Sequence, residues 1–101
     1  ATCSNYNFPM IRSFRSKPLA DLWRTGRAAK IDARLVKRVL RRLEALNDSS
    51  RPEDMNVPGF GFHALKGFQP TRYSVHVNGP WCITFELEDG DAWRVNLEQY
   101  H

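Results

Sequence analysis

His63 and Lys66 stand three residues apart in the stretch FHALKG, and the sequence closes on Tyr100-His101. Between them, three strand-like runs carry Arg72, Ser74, His76, Cys82, Thr84, Arg94 and Asn96 at alternating positions. The histidines and the tyrosine among them can move protons, the lysine and arginines can neutralise anions, and the rest can hydrogen-bond. They do not make a metal site: there is no HExxH, no CxxC and no carboxylate–histidine cluster. The two cysteines, Cys3 and Cys82, supply neither a metal spacing nor a disulfide framework. No GxGxxG or P-loop is present, and no Ser/Cys–His–Asp order can be defended. The expectation is therefore chemistry with no metal and no cofactor. Phosphodiester cleavage by the 2′-OH of RNA fits such a mixture. It needs a base for the 2′ proton, cations around the phosphorane and a donor for the departing 5′ oxygen. Histidine, tyrosine, lysine and arginine can fill those roles, and the 2′-OH distinguishes RNA from DNA. Each residue also has a plainer reading. His63 and His76 can be ordinary surface or packing histidines, and Lys66 can simply lead into a turn at Gly67.

The elements that must position these groups are legible from periodicity. MIRSF (10–14) alternates as a short strand. Ser16, Pro18, the stripe Leu19, Leu22 and Trp23, and Gly26 mark the cap, first turn, buried face and end of a helix. A second helix is expected over 32–46, capped by Asp32, with Leu35, Val39, Leu43 and Leu46 recurring near a 3.6 period. Its other face holds Arg34, Lys37, Arg38, Arg41 and Arg42. Residues 47–61 read as a loop. The period then shortens to that of strands. Tyr73, Val75 and Val77 face one way in the first of them, and Trp81, Ile83, Phe85 and Leu87 in the next, with Asn78-Gly79 as the hairpin turn. In the last, Trp93, Val95, Leu97 and Gln99 are expected on the core face. The sum is an α+β domain: a strand and two helices packed on an antiparallel sheet of about four to five strands, whose second face is polar and open.

The totals agree. The 101 residues suffice for one domain, with 42% hydrophobic and 26% charged residues, as in ordinary globular proteins. Residues 1–9 precede the first methionine, Met10, and are set aside as a leader or extension, leaving 10–101 as the domain. No apolar run reaches membrane-span length and no signal peptide is visible, so a cytoplasmic protein without a membrane partner is expected. The net charge of +4 is uneven: residues 1–46 carry eleven Lys/Arg against three acids, and residues 47–101 four against eight. A basic half suggests a polyanionic partner, although a solvated helix face would look the same.

The segment FHALKGFQPTRYSVHVNGPWCITFELEDGDAWRVNLEQYH, with the start MIRSF, resembles the HigB-like toxins of bacterial toxin–antitoxin modules, within the RelE-type microbial RNases. The resemblance runs from Met10 to His101 and rests on His63-x-Leu65-Lys66-Gly67, the YSVHVNGPW hairpin and Tyr100-His101. It implies a metal-independent endoribonuclease that cuts mRNA on the ribosome and so inhibits translation. It also implies a cognate helix-turn-helix antitoxin, through which the complex reaches operator DNA. The basic helix face (Arg34, Lys37, Arg38, Arg41, Arg42), with Arg94, would meet ribosomal RNA or mRNA, or in part the antitoxin. The family's active-site His and Lys fall on His63 and Lys66, and its closing acid-Tyr-His falls on Gln99, Tyr100 and His101. Its arginine in a WR(I/V)xF pattern falls on Cys82. Two positions therefore depart, the arginine at Cys82 and the acid at Gln99. Arg72, near Lys66 and Gly67, is the expected substitute for the arginine, with Arg94 the other candidate. On this reading His101 is proton donor or base, Tyr100 stacks on a base or orients the 2′-OH, Lys66 and Arg72 neutralise the phosphate, and His63 positions or transfers a proton. The departure at Cys82 keeps a second reading open: a weak or inactive toxin serving as a basic RNA- or ribosome-binding module or co-repressor. A plain protein-interaction domain would explain the helix stripe but not the cluster of His63, Lys66, Arg72 and His101.

Overall fold

The computed structural model describes residues 10–99. Two helices and a four-stranded antiparallel sheet share one core, as the periodicity predicts. Helix α1 spans Lys17–Thr25. The Ser16 hydroxyl accepts the Leu19 N–H at 3.2 Å, and Gly26 ends the helix at φ 79° with its N–H on Leu22 O. Only a residue that tolerates the left-handed region closes a helix this way without strain. Helix α2 spans Val36–Asn47, and so starts later than its periodicity suggests. Asp32 caps a separate turn just ahead of it, where its carboxylate accepts the Arg34 N–H at 2.9 Å. The Arg34 side chain and amide hold that carboxyl down at about 2. The expected loop 47–61 contains a short 3-10 helix, Pro52–Met55, which buries Met55 completely. Here the Ser50 and Arg51 amides lower the Asp54 carboxyl below its usual range.

The strands β1 (His63–Leu65), β2 (Arg72–Asn78), β3 (Trp81–Glu88) and β4 (Asp91–Gln99) follow one another in space as they do in sequence. The β2–β3 turn is Gly79-Pro80, one residue later than expected, because Asn78 still pairs with Trp81 and the register shifts between His76 and Asn78. The MIRSF segment does not make a full strand. It lies parallel to β4 through two bridges, Ile11 with Ala92 and Phe14 with Val95. Between those bridges Arg94 takes φ 52°, and its amide donates to the Ser13 hydroxyl at 2.9 Å.

That bulge also corrects the face of one tryptophan. Trp93 pairs with Glu86, on the side away from the helices, and Ala92, 1% exposed, fills the core beneath Leu87. Leu19, Val39, Leu43 and Leu46 from the helices meet Val75, Val77, Ile83, Phe85 and Val95 from the sheet, all essentially solvent-free. A stacked column, Phe62 on Tyr73 on Phe85, extends this core toward the β1 edge. The helices thus occupy one sheet face and leave the other to the polar residues.

Candidate active site

Antiparallel pairing brings side chains from neighbouring strands onto one face in rows. The central row of the open face holds His63, Ser74, Thr84 and Asn96. On one side lies the row Leu65, Arg72, Glu86 and Trp93. On the other lies His76, Cys82 and Glu98, with Gln99 one residue further along β4, opposite Trp81. The face is less open than the sequence suggests: Ser74, Cys82, Thr84 and Glu86 are all buried.

His63 opens β1 on this face and is exposed. Its Nδ1 lies 3.0 Å from the Gly61 carbonyl. A carbonyl can only accept, so Nδ1 carries the proton and the neutral ring keeps its lone pair on Nε2. Such a ring can take a proton at Nε2 while Nδ1 anchors it. His76 has the opposite arrangement. Its Nε2 donates to the Gly79 carbonyl at 3.0 Å, which fastens the ring to the hairpin turn. Lys66 is exposed in the turn after β1, where Gly67, at φ 88°, reverses the chain.

Arg72 and Arg94 converge on one buried acid. Arg94 reaches Glu86 Oε1 at 2.8 Å, and Arg72 stands 3.9 Å from Oε2. The Arg72 guanidinium also lies over the Phe68 ring, 4.2 Å from its centroid. Arg72, the expected substitute for the missing arginine, and Arg94, the other candidate, thus share a counter-ion at one end of the face. Cys82 lies four residues from the Arg72 row, about 13 Å along the strand at ~3.3 Å per residue. Thr84 donates a hydrogen bond to Glu98, the cross-strand partner of Cys82. Tyr100 and His101 lie outside the described residues. Gln99, which precedes them, belongs to the Cys82 end.

The basic helix face divides. Lys37, Arg38 and Arg41 are exposed, and Arg38 makes one long contact, 3.4 Å, to Val77 O. Arg34 lies outside α2 and is paired with Asp32 at 2.9 Å. Arg42 does not belong to the solvent face: it is 7% exposed and donates to His76 O at 2.7 Å, Arg38 O at 3.2 Å and Gly59 O at 3.3 Å. Its guanidinium sits 4.5 Å over Phe60. Burial, with Arg38 and Arg41 nearby, lowers its pKa, yet it pins the 59–61 loop and β2 onto α2. Helical spacing separates Arg42 from Arg41: Arg42 lies seven residues after Leu35, three after Val39 and four before Leu46, on the buried stripe, so grouping it with the solvent face is an error of phase.

Two members of the face were not singled out by sequence. Glu86 falls on the polar side of β3 by alternation, but only the register shows that it faces Arg72. Phe68 gives no sequence signal beyond being an aromatic residue in a turn. Among the described residues no group of three His, Cys, Asp or Glu side chains is arranged to hold a metal, and no helix is long and apolar enough to cross a membrane.

The sequence model of a family described as the RelE-like toxin of type II toxin–antitoxin system HigB matches residues 12–101. The chain is also 35% identical over 92 residues to Endoribonuclease HigB of Proteus vulgaris, an alignment spanning 91% of this chain and 100% of that protein.

Proposed function

The chain belongs to the HigB-like toxins, the RelE-like toxin family of type II toxin–antitoxin systems, and from that membership we propose that it is an endoribonuclease. It cuts mRNA on the translating ribosome, with no metal, by attack of the RNA 2′-OH on the adjacent phosphate. The observation that carries this reading is His63: exposed on the open face, its tautomer fixed by Gly61 O, with Nε2 left to take a proton.

In the proposed reaction His63 Nε2 accepts the 2′ proton as the 2′ oxygen attacks phosphorus. Lys66 and Arg72 offset the charge that builds on the phosphorane. His101 protonates the departing 5′ oxygen, and Tyr100 orients the reacting nucleotide. The products are a 2′,3′-cyclic phosphate and a free 5′-OH. Lys37, Arg38, Arg41 and Arg94 hold RNA through phosphate contacts, so affinity falls as salt rises. Arg42 is left out of this set because its donors are spent on backbone carbonyls. A cognate helix-turn-helix antitoxin silences the toxin and carries the complex to operator DNA.

Cys82, at the position of the family's arginine, supports a second reading: an RNA- or ribosome-binding co-repressor with little activity. Induced expression with and without the antitoxin, and mRNA integrity in a translating extract with and without chelator, separate the two. Growth arrest, relieved by antitoxin, with chelator-resistant cuts confined to translated mRNA supports the nuclease. Ribosome binding with intact mRNA supports the co-repressor.

A further inference from the structure

We propose that Glu86 is a positioning residue that holds Arg72 and Arg94 as the frame of a single-stranded-RNA subsite, with Phe68 as its stacking platform. The inference rests on the chain acting on RNA and goes beyond it in assigning a subsite to Glu86, Phe68 and Arg94, with Arg72 shared with the proposed reaction.

A glutamate 5% exposed in the middle of a strand is costly unless its charge is answered. Here one oxygen faces each arginine, Oε1 to Arg94 at 2.8 Å and Oε2 to Arg72 at 3.9 Å. One arginine would neutralise the carboxylate. The second leaves the trio with a net positive charge. Each guanidinium has five N–H donors. Glu86 occupies few of them, so donors remain for phosphate oxygens.

The backbone adds a second observation. Arg94 adopts φ 52°, a conformation uncommon for residues other than glycine, within a bulge whose amide is held by Ser13. Bulges of this kind redirect a side chain, and this one brings Arg94 to Glu86. Phe68 completes the subsite. It is 40% exposed, two residues after Lys66, and Arg72 covers one side of its ring. An exposed ring backed by a fixed guanidinium suits a nucleobase, whose own π-face stacks regardless of sequence. Arg94 is held by a hydrogen bond and Arg72 by the charge of Glu86 and the Phe68 ring, which lowers the ordering cost that flexible side chains meet on binding.

The test uses the full chain and a short single-stranded RNA, 2′-O-methylated throughout so that it cannot be cut. Glu86→Asp keeps the charge but shortens the reach, and Glu86→Gln keeps the shape but adds one unit of positive charge. Positioning predicts that both variants bind this RNA about fivefold to tenfold more weakly. It predicts the same for Phe68→Ala, with recovery in Phe68→Tyr. Tighter binding by Glu86→Gln with unchanged binding by Glu86→Asp would mean that Glu86 only balances charge, and would overturn the proposal. Should the Glu86 variants fail to unfold cooperatively, the exposed Phe68 decides: wild-type binding by Phe68→Ala overturns it. So would a Phe68→Ala defect confined to antitoxin binding. Cleavage measured in parallel keeps the two readings apart. RNA binding with these losses but no cleavage by the wild type would sink the nuclease alone. Cleavage by the wild type with no losses in the variants would sink the subsite alone.

Discussion

The open face of the sheet contains two glutamates in similar strand positions with different company. Glu86 is answered by Arg72 and Arg94. Glu98, at the other end, is met by the Thr84 hydroxyl, and its cross-strand partner is the uncharged Cys82. In this chain the cationic side chains of the face are gathered at the β1 side and the Glu86 end. Among the described residues, the row of His76, Cys82 and Glu98 brings no lysine or arginine to the other end. Two patches on one sheet face thus differ in electrostatics through the residues that each row brings together. The difference predicts a division of labour: the Glu86 end holds RNA, and the Cys82 end completes the proton transfers with weakened charge stabilisation.

Arg72→Ala should produce the largest effect at the Glu86 end. Loss of a group that offsets transition-state charge lowers the cleavage rate by about 10²–10³-fold, measured under single-turnover conditions. Unchanged cleavage would remove Arg72 from the mechanism. A parallel contrast holds within α2. Arg42→Met leaves carbonyls that its guanidinium now satisfies, and should cost about 2–3 kcal/mol in denaturant unfolding. Arg41→Met, one residue away and exposed, should cost less than about 0.5 kcal/mol. Equal costs would contradict the structural role given to Arg42.

Cys82→Arg sharpens the comparison from the other side. It puts a cation beside Glu98, as the proposed correspondence with the family's arginine requires, and should raise the cleavage rate about tenfold, or ~1.4 kcal/mol. No gain would show that the Cys82 position does not limit this enzyme. The smallest effect concerns Asp32, whose carboxyl is lowered from 3.8 to about 2 by Arg34. A carboxyl lowered in the folded state stabilises the fold above its unfolded pKa and loses that contribution as pH falls through the folded value. The wild type should therefore slightly exceed Asp32→Asn in stability at neutral pH, and the gap should close in acid near pH 2. Thermal melts of both proteins across that range would check it.

Much of this was readable in the sequence, and the misses have a common cause. Ser16, Pro18 and Gly26 fix α1 through local chemistry, and alternation in 72–77 and 81–87 assigns two sheet faces correctly. The errors arise where distant segments decide the outcome. Arg42 is an exception: its spacing from Leu35, Val39 and Leu46 already puts it on the buried stripe, and the 59–61 loop and Phe60 supply its partners. Trp93 follows the core alternation until the bulge at Arg94, stabilised by Ser13, turns it over. For the same reason His63 and Lys66 could be nominated from a short motif. The Glu86 partnership could not, because it joins β2, β3 and β4.

The central claim is that this chain cuts translated mRNA with its last residues in the reaction. The most direct measurement is primer extension on a defined mRNA in a reconstituted translating extract, comparing the chain with a version lacking His101, both verified as folded. The account predicts cuts within codons by the full chain and none by the shortened one. Cuts by both at equal rates would contradict the role given to His101. No cuts by either, with the protein bound to ribosomes, would contradict the nuclease itself.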